Sequence, residues 1–391
     1  MTPGARVQAA IDLLDIILSG RPAEQALTGW ARGARYAGSK DRAAVRDHVF
    51  QALRCRRSYA ALGGGDHGRG LIIGELRAAS YCLDDIFNGL GHAPQPLTDA
   101  EQMAGRVPAP GPEALDMPDW IWPRFTASLT ETGAISAARH LQNRAPVGLR
   151  VNTRMNAAPE AIEILNKDGV VAERCDLLDS ALIVTEGARR IKTCRAYAEG
   201  RVELQDIASQ AAMAALEITP GARVLDLCAG GGGKTLALAA RVDAQWFAHD
   251  VAPARMRDLP ARAERAGIEV RFLEGDAPER EGPFDVVLCD VPCSGSGTWR
   301  RAPDSKWRFS EADLNQLITT QKAILDRAQT LVRPAGILAY STCSVLDAEN
   351  DLVTEHFLAR YPAWQQQIQR AWPVSETHDG FYLCTFCAPG R

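Results

Sequence analysis

The sequence predicts an α/β protein, a doubly wound parallel sheet preceded by an all-α region and a small α+β insert. Three observations carry this. From about residue 201 to the end, short apolar runs alternate with helical patterns, as in repeated βαβ units. Before residue 90, apolar residues recur at three- and four-residue spacing without strand-like runs. From Val147 the texture changes to short strand and helix patterns. The expected divisions are 1–118 (helical region plus linker), 119–200 (connecting helices and a small α+β subdomain) and 201–391 (the sheet domain).

In chain order, Val7, Ile11, Leu14 and Leu18, then Val45, Val49 and Leu53, mark the inward faces of helices. The run Gly63-Gly64-Gly65 interrupts the pattern, and helix is expected again over 71–90. The Pro/Gly-rich stretch 92–118 reads as a linker, and 120–143 as a helical piece. Residues 149–152 and 182–184 read as strands around a helix at 158–168. The sheet strands are expected at 223–227, 246–249, 270–273, 284–289 and 337–340.

The length of 391 residues exceeds one ordinary domain, and a net charge of −4 does not advertise nucleic acid. Charge distribution adds something. Between Trp30 and Ala60 there are eight basic residues against only Asp41 and Asp47. Such a region fits a phosphate-contacting face, and a solvated helix face fits it equally well. No run is long enough to span a bilayer. The first apolar stretch is broken by Asp12 and Asp15, so it reads as an amphipathic helix rather than a signal peptide. A cytoplasmic, monomeric protein without membrane contact is expected, its ten cysteines reduced. Cys384 and Cys387 have CxxC spacing but no second pair, so no metal site is expected.

Two cysteines stand in distinctive settings. Cys293 follows the apolar run 286–289 in Asp290-Val291-Pro292-Cys293-Ser294-Gly295. Cys343 follows 336–339 in Tyr340-Ser341-Thr342-Cys343-Ser344. Both read as strand ends entering loops, where ligands bind in open α/β sheets. Two thiols there point to attack on an electrophilic carbon, one sulfur attacking and one assisting. Cys289, inside the strand, reads as a small buried hydrophobe.

The stretch Asp226-Leu227-Cys228-Ala229-Gly230-Gly231-Gly232-Gly233-Lys234-Thr235 is strand, glycine turn, then helix. A phosphate-binding P-loop requires glycine where Cys228 stands, and a lone glycine pattern is weak support for a dinucleotide fold. S-adenosylmethionine fits better. Asp250 ends the second strand, placed to accept the ribose hydroxyls. Asp276 follows the third strand, near the expected adenine, and Asp290 closes the fourth.

Taken together, Asp226-Leu227-Cys228-Ala229 with Gly233-Lys234-Thr235, the two cysteine motifs, Asn350 and Asp379-Gly380-Phe381 resemble the Sun family of RNA (cytosine-5) methyltransferases, most closely the bacterial RsmB-like ribosomal RNA enzymes. The resemblance covers about 150–386. It implies a Rossmann-like class I methyltransferase domain, and the helical start resembles the NusB-like RNA-binding domain of those enzymes. By resemblance the activity is formation of 5-methylcytosine in RNA, most closely 16S ribosomal RNA, with RNA as partner. It gives Cys343 the attack on the base and Cys293 the release step. Asp290 binds the ring edge, and Lys234 helps position it. Cys228, Ala229, Gly230, Gly231, Gly232, Gly233, Lys234, Asp250, Arg255, Asp276 and Asp290 form the expected cofactor site. The family loop usually reads Ala-Pro-Gly-Gly-Lys, whereas Gly230-Gly231 replaces Ala-Pro here, which frees the loop. The rival readings are a P-loop ATPase, a DNA cytosine-5 methyltransferase and a non-catalytic RNA-binding scaffold.

Overall fold

Thr2 starts the first helix. Its hydroxyl accepts the Ala5 N–H at 3.2 Å, and Pro3 occupies the first turn, where its missing N–H costs nothing. The computed structural model describes residues 1–390. Helices α1 (Pro3–Leu18), α2 (Ala23–Gly33), α3 (Ser39–Arg54), α4 (Arg56–Gly63), α5 (Gly68–Ala78), α6 (Asp99–Met103) and α7 (Trp122–Leu141) come first. Val7, Ile11 and Leu14 from α1 meet Val45, Val49 and Leu53 from α3 in one buried cluster. Helix α5 ends earlier than the expected residue 90. Ser80 adopts a left-handed φ of 57°, and the Tyr81 N–H reaches back to the Leu76 carbonyl at 2.9 Å while Ser80 N–H bonds Arg77 at 3.0 Å. This paired cap stops the helix.

The next elements are β1 (Val147–Val151), α8 (Ala158–Lys167), β2 (Val171–Cys175), β3 (Leu178–Glu186), α9 (Arg195–Ala198) and β4 (Val202–Leu204). They build an antiparallel sheet in the order β2-β3-β1-β4. The rest of the chain is α10 (Ile207–Ala214), β5 (Arg223–Asp226), α11 (Gly233–Ala239), β6 (Gln245–His249), α12 (Leu259–Ala266), β7 (Val270–Leu273), α13 (Ala277–Glu281), β8 (Phe284–Asp290), α14 (Pro303–Arg308), α15 (Glu311–Ala328), β9 (Val332–Thr342), α16 (Asp351–Arg360), β10 (Gln365–Trp372) and β11 (Phe381–Cys387).

The large sheet runs β10-β11-β9-β8-β5-β6-β7. The β7–β6–β5–β8–β9 part is parallel; β11 and β10 join antiparallel, so the expected parallel sheet carries an antiparallel edge. Leu225, Phe247 and Val287 face one core, Val224, Trp246 and Val286 the other, so both sides of the sheet are covered. Strand order reverses between β5 and β8. That switch point is where a crevice opens beyond the strand ends, and the glycine loop and the Cys293 loop both begin there. Cys384 and Cys387 lie three residues apart on β11, hence on opposite faces, which is no chelating geometry.

Two compact units result. The second holds both sheets, residues 145–298 and from 312 onward. The first is Met1–Arg144 together with Trp299–Glu311. Helix α7, which composition groups with the α+β segment, belongs to this first unit. Within it the 299–311 segment is tightly held. Trp307 Nε1 donates to the Leu53 carbonyl at 2.6 Å, and Arg54 Nε to the Arg300 carbonyl at 2.8 Å. The Asp304 carboxylate accepts the Ala23 N–H at 3.1 Å. Lys306 is buried, donates to the Asp116 carbonyl at 2.6 Å, and has its pKa pushed down by burial to about 8. No helix among the described residues is long and apolar enough to cross a membrane.

Candidate active site

The β5–α11 loop is shaped by its backbone. Ala229 N–H bonds the His249 carbonyl at 2.9 Å, tying the loop to the end of β6. Gly232 has φ 75°, and a Cβ there would stand 2.0 Å from Leu259 Cδ1, so only glycine fits. Thr235 Oγ1 donates to Asp226 at 2.7 Å, and burial raises the Asp226 carboxyl to about 6. The Cys228 thiol is pushed up by burial and by surrounding carboxylates. A half-buried thiol held neutral in this way is a loop-packing group, not a nucleophile.

Asp250 is buried at the end of β6. Its Oδ2 accepts the Gly230 N–H and its Oδ1 the Ala252 N–H, both at 2.9 Å, with Arg255 Nη1 at 3.3 Å. A carboxylate has about four acceptor sites, so capacity remains for hydroxyls of a ligand. Asp276 is different. It is exposed at the end of β7 and paired with Arg280, whose hydrogen bond lowers its pKa.

Lys234, at the start of α11, donates Nζ to Asp290 Oδ2 at 2.6 Å, and Ser341 Oγ donates to Asp290 Oδ1 at 3.2 Å. Burial opposes the charge on Lys234, but the Asp290 carboxylate outweighs it and the ammonium pKa rises. A P-loop lysine would be free for phosphate; this one is engaged by Asp290.

The two sequence-predicted cysteines meet. Cys293 Sγ and Cys343 Sγ lie 3.4 Å apart. Thr298 Oγ1 is 3.9 Å from Cys343; Asp290 disfavours a charge on Cys343 and the Lys234 ammonium favours it, whereas Glu349 disfavours charge on Cys293. The directions of the two shifts favour Cys293 as the protonated partner. Its hydrogen bond to Cys343, against burial, holds the Cys343 pKa below that of an ordinary thiol. Cys293, as donor and buried, is pushed well above it.

Sequence reasoning missed Glu349. Fully buried, it accepts the Ser294 N–H at 2.8 Å, Gln321 Nε2 at 3.0 Å and Ser344 Oγ at 2.5 Å, and it bonds Ser294 Oγ as well. One carboxylate thus joins the residue after Cys293 to the residue after Cys343. Asn350 closes the same turn, accepting Thr342 Oγ1 at 2.6 Å and donating to the Ser344 carbonyl at 3.0 Å. Gly297 and Gly380 pack backbone to backbone; a Cβ on Gly297 would stand 2.6 Å from Gly380 Cα. That contact fastens the Cys293 loop to Asp379-Gly380.

The chain is similar in sequence and in fold to known proteins. The family described as 16S rRNA methyltransferase RsmB/F matches residues 213–387, and an RsmF/B-like ferredoxin-like domain matches 117–189, together more than half of the chain. The chain belongs to the RsmB/F methyltransferase family. The ribosomal RNA small subunit methyltransferase B of Pseudomonas syringae pv. tomato is 35% identical over 252 residues, 62% of this chain and 55% of that protein. Its Klebsiella pneumoniae namesake is 32% identical over 280 residues, 68% and 64%. The chain thus spans less than two thirds of the length of these relatives. In fold it is similar to the crystal structure of PH0851 (TM-score 0.77, 23% identity, 99% of each chain). It is also similar to a methyltransferase homolog protein from Pyrococcus horikoshii (TM-score 0.61, 24% identity, 70% of this chain and 96% of that one). S-adenosylmethionine is the cofactor of this family, and the β5–α11 loop fits it. Side chains are absent at Gly230 and Gly231, and Asp250 retains acceptor sites beside them.

Proposed function

We infer that the chain methylates carbon 5 of a cytosine in RNA, in small-subunit ribosomal RNA as its relatives' names indicate, through a covalent adduct to Cys343. The observation that carries this reading is the pair of thiols 3.4 Å apart with opposite proton preferences. Bound S-adenosylmethionine would supply an electrophilic methyl group, held through the glycine loop, Asp250 and Arg255. Asp276, exposed and engaged by Arg280, is at most a distant contributor to the adenine end.

Cytosine carbon 5 is a weak nucleophile. The Cys343 thiolate adds to carbon 6, and the electron pair moves into the ring, making carbon 5 enamine-like. An unassisted thiol is only roughly a few per cent thiolate at neutral pH, so the depressed pKa of Cys343 matters. Asp290, held by Lys234 and Ser341, would bind the polar ring edge. After methyl transfer the carbon 5 proton must leave, so that the S–C6 bond can break and restore the Cys343 thiolate. Cys293 is the candidate base. While Cys343 is anionic, Cys293 is held protonated. Once that charge is consumed in the C–S bond, the Cys343 contribution is gone and only burial and Glu349 still oppose ionisation; Cys293 then gives its proton to water and takes the carbon 5 proton in its place.

The test is a denaturing gel. With RNA and cofactor, Cys293→Ala should accumulate a covalent protein–RNA adduct, and Cys343→Ala should form none and transfer no methyl. An adduct appearing with Cys343→Ala instead would reverse the roles. Full activity in both variants would remove the covalent mechanism.

A further inference from the structure

The eight basic residues between Trp30 and Ala60 fall into two groups. Four are engaged inside the first unit. Arg46 pairs with Glu24, Arg56 with Asp66 and Arg57 with Asp119, while Arg54 is buried against the Arg300 carbonyl. The other four, Arg32, Arg35, Lys40 and Arg42, are exposed and form no ion pair among the described residues. They bracket the short α2–α3 loop, Arg32 in the last turn of α2 and Lys40 and Arg42 in the first turns of α3. Asp41, the acidic residue beside them, is turned inward and neutralised by Arg6 and the chain terminus.

Stability does not account for this cluster. Positive charge at the start of a helix opposes the helix dipole, and Lys40 and Arg42 sit at the start of the 16-residue α3. In the middle of the loop stands Tyr36, 73% exposed, while its neighbours Ala34 and Ala37 are buried. An exposed aromatic ring among cations without ion pairs, of which Arg42 also donates Nη2 to the Ala34 carbonyl at 3.3 Å, matches the recognition of unpaired nucleotides, bases stacking on the ring and phosphates meeting the charges. A lipid surface would require further apolar side chains to insert, and the flanking alanines point inward.

We propose that the α2–α3 loop docks single-stranded RNA, with Tyr36 stacking on an unpaired base and Arg32, Arg35, Lys40 and Arg42 holding the adjoining phosphates. This rests on the reading of RNA as substrate and gives that substrate a contact outside the cysteine site. The loop would read lack of pairing rather than sequence, because every base offers a face to the ring.

The experiment is fluorescence anisotropy of a short, unstructured, fluorescein-labelled RNA with the full chain over a salt series. Tyr36→Ala should weaken binding about tenfold, in the range of loss of one stacked base, and leave the salt slope unchanged. Tyr36→Phe should bind as wild type. Arg35→Ala or Lys40→Ala should lower the slope of log affinity against log salt by about 0.7 each. Arg46→Ala, whose charge is already paired, should not. Thermal melts should be unchanged, since all these side chains are exposed. Wild-type affinity in Tyr36→Ala, or equal slopes for Lys40→Ala and Arg46→Ala, would overturn the proposal. So would loop-dependent binding to phosphatidylserine vesicles in place of RNA. If wild type binds RNA and the loop variants match it, this proposal alone fails. If wild type binds no RNA, the substrate reading fails with it.

Discussion

The loop after β8 and the loop after β9 hold the same side chain in unlike company. Cys343 has a neighbouring thiol, an ammonium and a hydroxyl disposed to favour its anion, with Asp290 against it; Cys293 has the Cys343 charge and Glu349 disposed against it. Burial is common to both, so it cannot differentiate them. The difference comes from which charged groups the adjoining strands and helices deliver, Lys234 from α11 on one side and Glu349 ahead of α16 on the other. Two identical residues thus acquire opposite proton preferences.

The largest test of this contrast is Glu349→Ala. It leaves the Ser294 N–H, Gln321 and Ser344 without their acceptor. Each buried donor left without its acceptor costs about 1–3 kcal/mol, so denaturant midpoints should fall. The turnover rate should fall roughly 10²-fold as the two loops lose register. Glu349→Gln keeps the shape and should recover most of the stability. If turnover in Glu349→Ala is untouched in the folded protein, the carboxylate does not set the thiol geometry.

Asp250→Ala separates the cofactor side from the thiols. Calorimetric affinity for S-adenosylmethionine should weaken by about 1.5–3 kcal/mol, as for a hydrogen bond to a charged group. Alkylation of Cys343 by iodoacetamide should stay as in wild type. A parallel loss of both would mean that the carboxylate organises the whole crevice and not the glycine loop alone.

Lys234→Met addresses the proton preference itself. Alkylation of Cys343 should persist to lower pH than for an ordinary thiol, because its pKa is lowered, whereas Cys293 should react only at higher pH. Removing the ammonium disfavours the Cys343 anion, so its alkylation curve should move to higher pH. At neutral pH its rate should drop roughly tenfold, the equivalent of about 1.4 kcal/mol. A curve that stays in place would assign the depressed pKa to Cys293 alone. Thr298→Val should do the same to a smaller extent, about 0.5 kcal/mol, for a long sulfur hydrogen bond.

Much of this site can be read from the chain. Cys293 and Cys343 follow apolar runs and precede turn residues, so their place at strand ends follows from pattern alone. The same logic finds Asp250 and Asp290. Glu349 is invisible to it, because a glutamate before a helix is the ordinary complement to a helix dipole; only the fold aims its side chain backward onto two serines. The pairing of Gly297 with Gly380 is equally hidden, since neither glycine stands at a turn that demands one. β10 escapes because Gln365-Gln366-Gln367-Ile368-Gln369 has no apolar alternation, being an exposed edge strand. The expected helix beyond Ala78 fails at Ser80, where a non-glycine residue takes the left-handed cap. Nor does sequence assign Trp299–Glu311 to the first unit, because nothing in a contiguous stretch reveals that its partners were made long before.

That last feature bears on how the protein is synthesised. The helices of the first unit leave the ribosome with the seat for Trp307 and Lys306 still empty, because the segment that fills it is encoded beyond β8. At about 5–20 residues per second, roughly 10–30 s separate the emergence of Arg144 from that of Glu311. During that interval a nascent helical bundle carries the unsatisfied Leu53 and Asp116 carbonyls and an open apolar wall at Phe125. Completion of the first unit is therefore a late event in translation, and an early stall would leave a chain whose amino-terminal half is present in full yet lacks its final piece of core.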